Sequence, residues 1–279
     1  MTDAAVIGPA DPPALHVMTW NVRRLLPVTR PGGPDRWTRR RGALRAVLER
    51  ERPTVLGVQE ALPEQVDWIA ASLGGEWVGR GRDADGDGEH SAIFYDPERL
   101  RLERWQQHAL SRTPAVPGSR SWGSPWPRVF VVAEFADTVT GSRLRVVNTH
   151  LDPLSPRSRR HSAELLREVG RGAWPPYGPR TPTLLLGDAN AGTRSPAHRI
   201  LTEVFADTWD AAARRATPPW RSYSGFGAPR IGDRIDWLLA TPDITVEAAA
   251  VTTWRPGGIA PSDHEPVHAL LRLPVRVHR

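Results

Sequence analysis

The apolar strand candidates of this chain end repeatedly on residues of one chemical kind. Nine short runs rich in β-branched residues read as strands: LHVMTWNV, TVLGVQE, SAIFYD, VFVVAEF, LRVVNTHL, TLLLGDAN, RIDWLLA, ITVEAAAVT and HALLRL. Asn21 ends the first, Glu60 the second, His150 and Asp152 the fifth, and Asp188 and Asn190 the sixth. Asp236 lies within the seventh, and Asp263-His264 sit in PSDHEPV ahead of the last. Strand ends in α/β folds are where ligands bind, because the sheet holds positions fixed while the loops are free to vary. Taken singly, each residue has a plain reading. Asn21 is a strand-end turn former, Asp188 and Asn190 an Asx turn, His150 a satisfied core histidine, Asp263-His264 a cap or turn. Together they point to one polar constellation, which no packing argument predicts.

Three helices lie between the strands. Leu44, Val47 and Leu48 line one face of the first, with Trp37 two turns earlier. Pro63 opens the second, which stacks Val66, Ile69, Ala70 and Leu73. The third has Ser155 as N-cap and Pro156 at its first position, then Leu165, Leu166 and Val169. At 279 residues, with 39% hydrophobic and 24% charged residues, the chain can bury a substantial core, and dominant disorder is excluded. No internal repeat and no composition break marks a linker, so one domain over 15–273 is expected, after a disordered tail over 1–14.

The absence of cysteine excludes disulfide scaffolds, thiolate zinc sites, iron–sulfur clusters and cysteine nucleophiles. No apolar run is long enough for a membrane helix. The opening MTDAAVIGPADPPALH has neither the basic nor the apolar region of a secretory signal, so a cytoplasmic location is expected. All 37 basic residues are Arg, and the net charge is +6. The excess could attract an anionic substrate, although a compositional bias toward Arg explains it equally well.

Carboxylates and amide oxygens without thiolates suit a hard divalent ion such as Mg²⁺ or Mn²⁺. Two histidines can serve in acid–base or charge-stabilising roles. These parts fit phosphoester hydrolysis: a metal neutralises the phosphate, a carboxylate deprotonates water, and histidine and asparagine stabilise the transition state.

The ordered set TWN, QE, NTHLD, GDAN, RIDW and SDHEPV resembles the endonuclease/exonuclease/phosphatase superfamily, over residues 15–273. QEALPEQ and VGRGRDADGDGEHSAIFYD further resemble a bacterial branch of metal-dependent hydrolases. The resemblance implies the deoxyribonuclease I-like fold, an α/β four-layer sandwich of two mixed β-sheets flanked by helices. It also implies a Mg²⁺-dependent phosphoesterase, foremost a phosphodiesterase, for which Mn²⁺ can substitute. Asn21, Glu60 and Asp263 would hold the metal. Asp188 would orient and deprotonate the attacking water, and Asn190 would contact the scissile phosphate. His264, held by Asp236, would stabilise developing charge. His150 would act on the leaving-group side, paired with Glu89, and Asp152 would serve local orientation. Two departures stand out: GDAN carries Ala189 where many relatives have phenylalanine, and Glu265 replaces an aromatic or apolar residue, placing extra negative charge beside the metal site.

Arg82 and Arg128 adjoin strands that carry site residues and are the candidates for substrate contact. The run RWTRRRGALRAVLERER reads as the solvated face of an amphipathic helix before a nucleic-acid patch. Asp83, Asp85, Asp87 and Gly88 match the start of a calcium loop, but Phe94 stands where its last glutamate belongs, so a solvated hairpin is expected. Loops at 27–36, 111–127 and 171–182 are rich in Pro, Gly and Arg, and Trp122 and Trp126 are the tryptophans expected to be exposed. The expected partner is a phosphate-containing substrate, nucleic acid among the candidates, acting on a monomer. A phosphatase acting on a small phosphorylated metabolite or lipid headgroup is the alternative, and a non-catalytic binding module on the same fold is a remote one.

Overall fold

A computed structural model describes residues 4–174 and 181–274. Along the chain the elements are β1 (Ala14–Asn21), α1 (Trp37–Glu51), β2 (Val55–Gln59), α2 (Pro63–Leu73), β3 (Glu76–Val78), β4 (Ile93–Tyr95), β5 (Leu100–Ala109), β6 (Val129–Asp137) and β7 (Arg143–His150). There follow α3 (Pro156–Gly170), β8 (Thr183–Asp188), α4 (Pro196–Leu201), β9 (Ala206–Asp207), α5 (Thr208–Ala211), β10 (Arg214–Arg215), β11 (Asp236–Ala240), β12 (Thr245–Val251) and β13 (Val267–Arg272). The strands form two mixed sheets, ordered β10-β12-β13-β1-β2-β4-β3 and β5-β6-β7-β8-β11-β9.

The apolar runs are nearly continuous because both faces of the central strands are covered. In β1, Leu15 and Val17 point into the core between the sheets, where they join Val131, Ala133, Leu184, Leu186 and Leu238 of the second sheet. Met18 and Trp20 point the other way, toward Leu44, Val47 and Leu48 of α1 and Val66 and Ile69 of α2. On the far side, Val147, Leu185 and Leu239 meet Ala163, Leu166 and Val169 of α3 and Ala197 and Leu201 of α4. Helices, sheet, sheet and helices are therefore the four layers, the expected fold. Among the described residues no helix is long and apolar enough to cross a membrane.

The nine strand runs are present, with ends shifted; RIDWLLA becomes strand only at Asp236. Among the strands without an apolar run is β5, at the sheet edge, where Arg101, Glu103 and Arg104 keep polar side chains toward solvent. The helices fall where the periodicity places them, and Ser155 Oγ accepts from the Ser158 N–H at 3.1 Å as the cap of α3. The Arg-rich face of α1 is not wholly solvated. Arg40 is buried, and its guanidinium donates to the carbonyls of Val22, Arg23 and Pro261, bracing the chain beside Asn21 and Asp263.

Residues 6–8, within the stretch expected to be a loose tail, are hydrogen-bonded to the end of α1. The N–H groups of Val6, Ile7 and Gly8 donate to the buried Glu51 carboxylate at 2.9–3.2 Å, and Ala14 already pairs with Arg272. Three backbone donors offset the cost of burying that charge. The DADGDG loop closes on itself as a hairpin, with Gly81 N–H donating to the Gly86 carbonyl and Asp83 N–H to that of Asp87. Trp126 is exposed, while Trp122 is half-buried and stacked on His161 with 4.9 Å between ring centres. Of the loop at 171–182, residues 175–180 lie outside the described residues.

Candidate active site

Strand direction gathers the polar residues at one edge of the sandwich. β1 and β2 are parallel, with Asn21 level with Gln59, so Asn21 and Glu60 leave adjacent strand ends together. β7 and β8 are parallel, with His150 level with Asp188. β11 and β13 run antiparallel to their neighbours, which brings the start of β11 at Asp236 opposite Asp188 and the start of β13 near the end of β1. Gly187 makes the β7–β8 approach possible: at φ +151, a Cβ there would lie 2.1 Å from the Thr149 carbonyl oxygen.

These residues surround a cleft of about 370 Å³ lined by Glu60, Glu89, His150, Asp188, Asn190, Asp263 and His264, with Arg23, Arg24, Arg82 and Arg128. Asn21 and Asp236 stand one hydrogen bond behind its wall. The Asn21 amide donates to Glu60 Oε1 at 3.0 Å and to Asp188 Oδ2 at 2.9 Å, joining the ends of the two sheets. Asn190 N–H donates to Asp188 Oδ1 at 2.8 Å, and Asn190 Nδ2 lies 3.0 Å from His150 Nε2. His264 Nδ1 is 2.8 Å from Asp236 Oδ2 and its Nε2 is 3.8 Å from Asp188 Oδ2, so the imidazole spans the two carboxylates. Asp152 accepts from the N–H groups of Leu154 and Ser155 and from Ser124 Oγ, tying the 111–127 loop to the start of α3.

Charge in the cleft is unevenly shared. Burial works to raise the Glu60 carboxyl, but the Asn21 amide, the Arg24 N–H, His264 and Arg23 together hold it below the usual range. Burial and the neighbouring Asp236 push Asp188 up, and burial with Glu60 nearby pushes Asp263 up. Burial opposes a charged His264, yet Asp236 and Asp188 outweigh it and lift the group to about 10. His150 goes the other way: burial, Arg128, Arg82 and His264 all hold it well below its ordinary value, so it is neutral. Glu60 and Asp263 converge on one cation, the Arg23 guanidinium, at 3.7 and 3.9 Å. Carboxylates gathered at one site, two of them (Asp188 and Asp263) raised by burial and neighbouring negative charge, fit a divalent cation. Ligand atoms of Asp188, Asp236 and His264 also lie within 4.8 Å of one another.

Two expected relations are not made. Glu89 gives its oxygens to Arg82 at 2.5 Å and Arg24 at 3.2 Å instead of to His150, whose side chain faces Asn190, because two guanidiniums reach that carboxylate first. Glu265 adds no free charge beside the site: it is buried and paired with Arg255 at 2.5 Å. Arg128 is 5% exposed, 3.9 Å from Asp152, and its Nε and one Nη lack hydrogen-bond partners among the described residues. The sequence reading missed Arg23 and Arg24, although they stand two and three residues after Asn21. It also missed the 222–225 segment, which no local signal marks. There Ser222 Oγ accepts from the N–H groups of Ile235 and Asp236, the Ser222 carbonyl accepts from Glu265 N–H, and Ser224 N–H donates to the Asp263 carbonyl. That segment holds Asp236 and His264 in register.

Known proteins are similar to this chain over most of its length. A model of the endonuclease/exonuclease/phosphatase family matches residues 18–264. An endonuclease/exonuclease/phosphatase family protein from Bacteroides thetaiotaomicron is similar at 27% identity, covering 95% of this chain and 98% of that one, with a TM-score of 0.85. One from Bacteroides vulgatus shares 27% identity over 93% of this chain and 99% of that one, with a TM-score of 0.84. A mannosyl-6-phosphatase of B. thetaiotaomicron shares 26% identity over 92% and 99%, with a TM-score of 0.83. No curated protein matches significantly. With the family model matched from β1 to His264 and the strand-end residues gathered in one cleft, the chain belongs to the endonuclease/exonuclease/phosphatase family.

Proposed function

We propose that the protein is a Mg²⁺-dependent phosphoesterase, foremost a phosphodiesterase, that hydrolyses a P–O bond by in-line attack of water. The observation that carries this reading is the convergence of Glu60, Asp263, Asp188, Asn190, His150 and His264 on one arginine-rimmed cleft. Asn21, Glu60 and Asp263 would hold the cation, with the Asn21 amide nitrogen also fixing the Glu60 carboxylate. A divalent ion bound there would neutralise charge on the phosphate oxygens.

Asp188 orients the water and takes its proton as the water oxygen bonds to phosphorus and the ester P–O bond breaks. Asn190 contacts the phosphate. His264, kept protonated by Asp236 and Asp188, stabilises the charge that develops on the phosphoryl oxygens. His150, neutral, acts toward the leaving oxygen by hydrogen bonding. Arg82 and Arg128 draw the anionic substrate into the cleft. A single catalytic domain over 15–273, monomeric and cytoplasmic, is the setting assumed.

The similarity to a mannosyl-6-phosphatase favours a second reading, in which the substrate is a phosphomonoester of a small metabolite. Turnover of bis(p-nitrophenyl) phosphate and of p-nitrophenyl phosphate with Mg²⁺ or Mn²⁺, each repeated with EDTA, tests both. Metal-dependent turnover of the diester is expected. Turnover of the monoester alone would select the second reading, and turnover of neither would overturn both.

A further inference from the structure

Ligand clefts are lined by aromatic side chains, whose faces offer a surface for a substrate ring. Among the described residues, the large hydrophobic side chains left exposed include two aromatic ones, Trp126 at 44% and Tyr223 at 51%. Both line the cleft. They reach it from opposite sides. Trp126 lies two residues ahead of Arg128, which leads into β6. Tyr223 bridges to His264 through the backbone and sets its ring 5.0 Å from the imidazole, beside β11. In the six-stranded sheet β6 and β11 are separated by β7 and β8, the strands that end in His150 and Asp188. Three strand spacings amount to about 14 Å. The ends of β7 and β8, with His150 and Asp188, therefore lie between the strand that Trp126 precedes and the strand beside Tyr223.

We propose that Trp126 and Tyr223 are specificity residues for a phosphodiester that carries a ring on each ester arm. The leaving arm rests on Trp126, next to His150, and the retained arm on Tyr223, next to His264. Sugars, bases and aryl groups all offer a face to an aromatic side chain. The proposal rests on the phosphodiesterase reading and adds the direction in which the substrate lies. A plain alternative gives Tyr223 no substrate at all and makes it a cover that keeps water from His264.

Two diesters separate these cases. Bis(p-nitrophenyl) phosphate has a ring on both arms, whereas methyl p-nitrophenyl phosphate has one only on the leaving arm. With Mg²⁺ present, Trp126→Ala is expected to lower kcat/KM about tenfold on both esters, the loss typical of one stacked ring. Tyr223→Ala is expected to do so on the bis-aryl ester alone. Trp126→Phe and Tyr223→Phe, which keep a ring, should retain most of the activity. Equal losses on both esters for Tyr223→Ala, or unchanged kcat/KM for either alanine variant on the bis-aryl ester, would overturn the proposal. No turnover of either ester by the wild-type protein would overturn the phosphodiesterase reading itself, and the arm assignment with it.

Discussion

Gln59 Nε2 donates to Asn148 Oδ1 at 2.8 Å, a direct hydrogen bond from one sheet to the other. Asn148 Nδ2 in turn donates to the carbonyls of Val58 and Ala92 at 2.8 Å, and Gln59 also donates to Thr19 Oγ1 at 3.1 Å. Gly57 leaves room for this crossing, since a Cβ there would lie 2.9 Å from Asn148 Cγ. Gln59 precedes Glu60 and Asn148 precedes Thr149-His150, so the crossing sets the distance between the two halves of the site. Asn148→Ala strands several buried polar groups. A loss of about 2–3 kcal/mol is expected in urea unfolding, with reduced turnover even where the protein is fully folded. Unchanged stability would remove the pair from the support of the site.

Glu60→Gln should weaken metal dependence while leaving the fold intact. Gln keeps the shape and can still meet the Asn21 amide, but it lacks the charge that a hard cation needs. Activity titrated against Mg²⁺ should show a higher apparent dissociation constant. An equal apparent metal affinity in both proteins would take Glu60 out of the ligand set.

Asp188→Asn should reduce turnover by about two to four orders of magnitude, the range of a lost general base. The thermal midpoint should hold or rise, because the native carboxylate is buried and raised by Asp236, and a neutral amide does not bear that cost. Near wild-type turnover would show that the base lies elsewhere.

His264 and Asp236 should behave as one unit. Their 2.8 Å contact is buried, and removing either partner removes the same charged imidazole from the phosphate. In a double-mutant cycle of His264→Ala and Asp236→Asn, turnover of the double variant should fall little below that of the worse single variant. Losses that multiply as independent factors would assign Asp236 to structure alone.

Stability should also fall in mild acid for a reason remote from the cleft. His16 Nε2 and His268 Nδ1 lie 3.0 Å apart in full burial, and His16 Nδ1 meets the Glu51 carbonyl. Burial holds both rings far below their ordinary 6.5. A depressed folded value means that the unfolded chain takes up protons first. The stability these rings contribute is therefore present above about pH 6.5 and lost as pH falls toward the folded values. Urea midpoints measured from pH 7 to pH 5 should decline for the wild type and less steeply for His268→Gln. Equal slopes would show that the pair does not titrate on unfolding.

Local chemistry made the strand-end pattern legible. Asn21, Glu60, His150, Asp188 and Asn190 interrupt or end apolar runs that have no packing use for them, and the helices at 37–51, 63–73 and 156–170 show in their periodicity and caps. These features depend on neighbours a few residues away, so the sequence by itself determined them, along with the hard-oxygen character of any metal site. Partner choice is different. Glu89 pairs with Arg82 and Arg24, Glu265 with Arg255, and Arg40 with carbonyls more than 200 residues apart, because charges are satisfied by whatever the fold brings within about 4 Å. Only the tertiary structure decided that Gln59 would meet Asn148 across the sheets, and that Tyr223 would stand over His264 at the rim of the cleft.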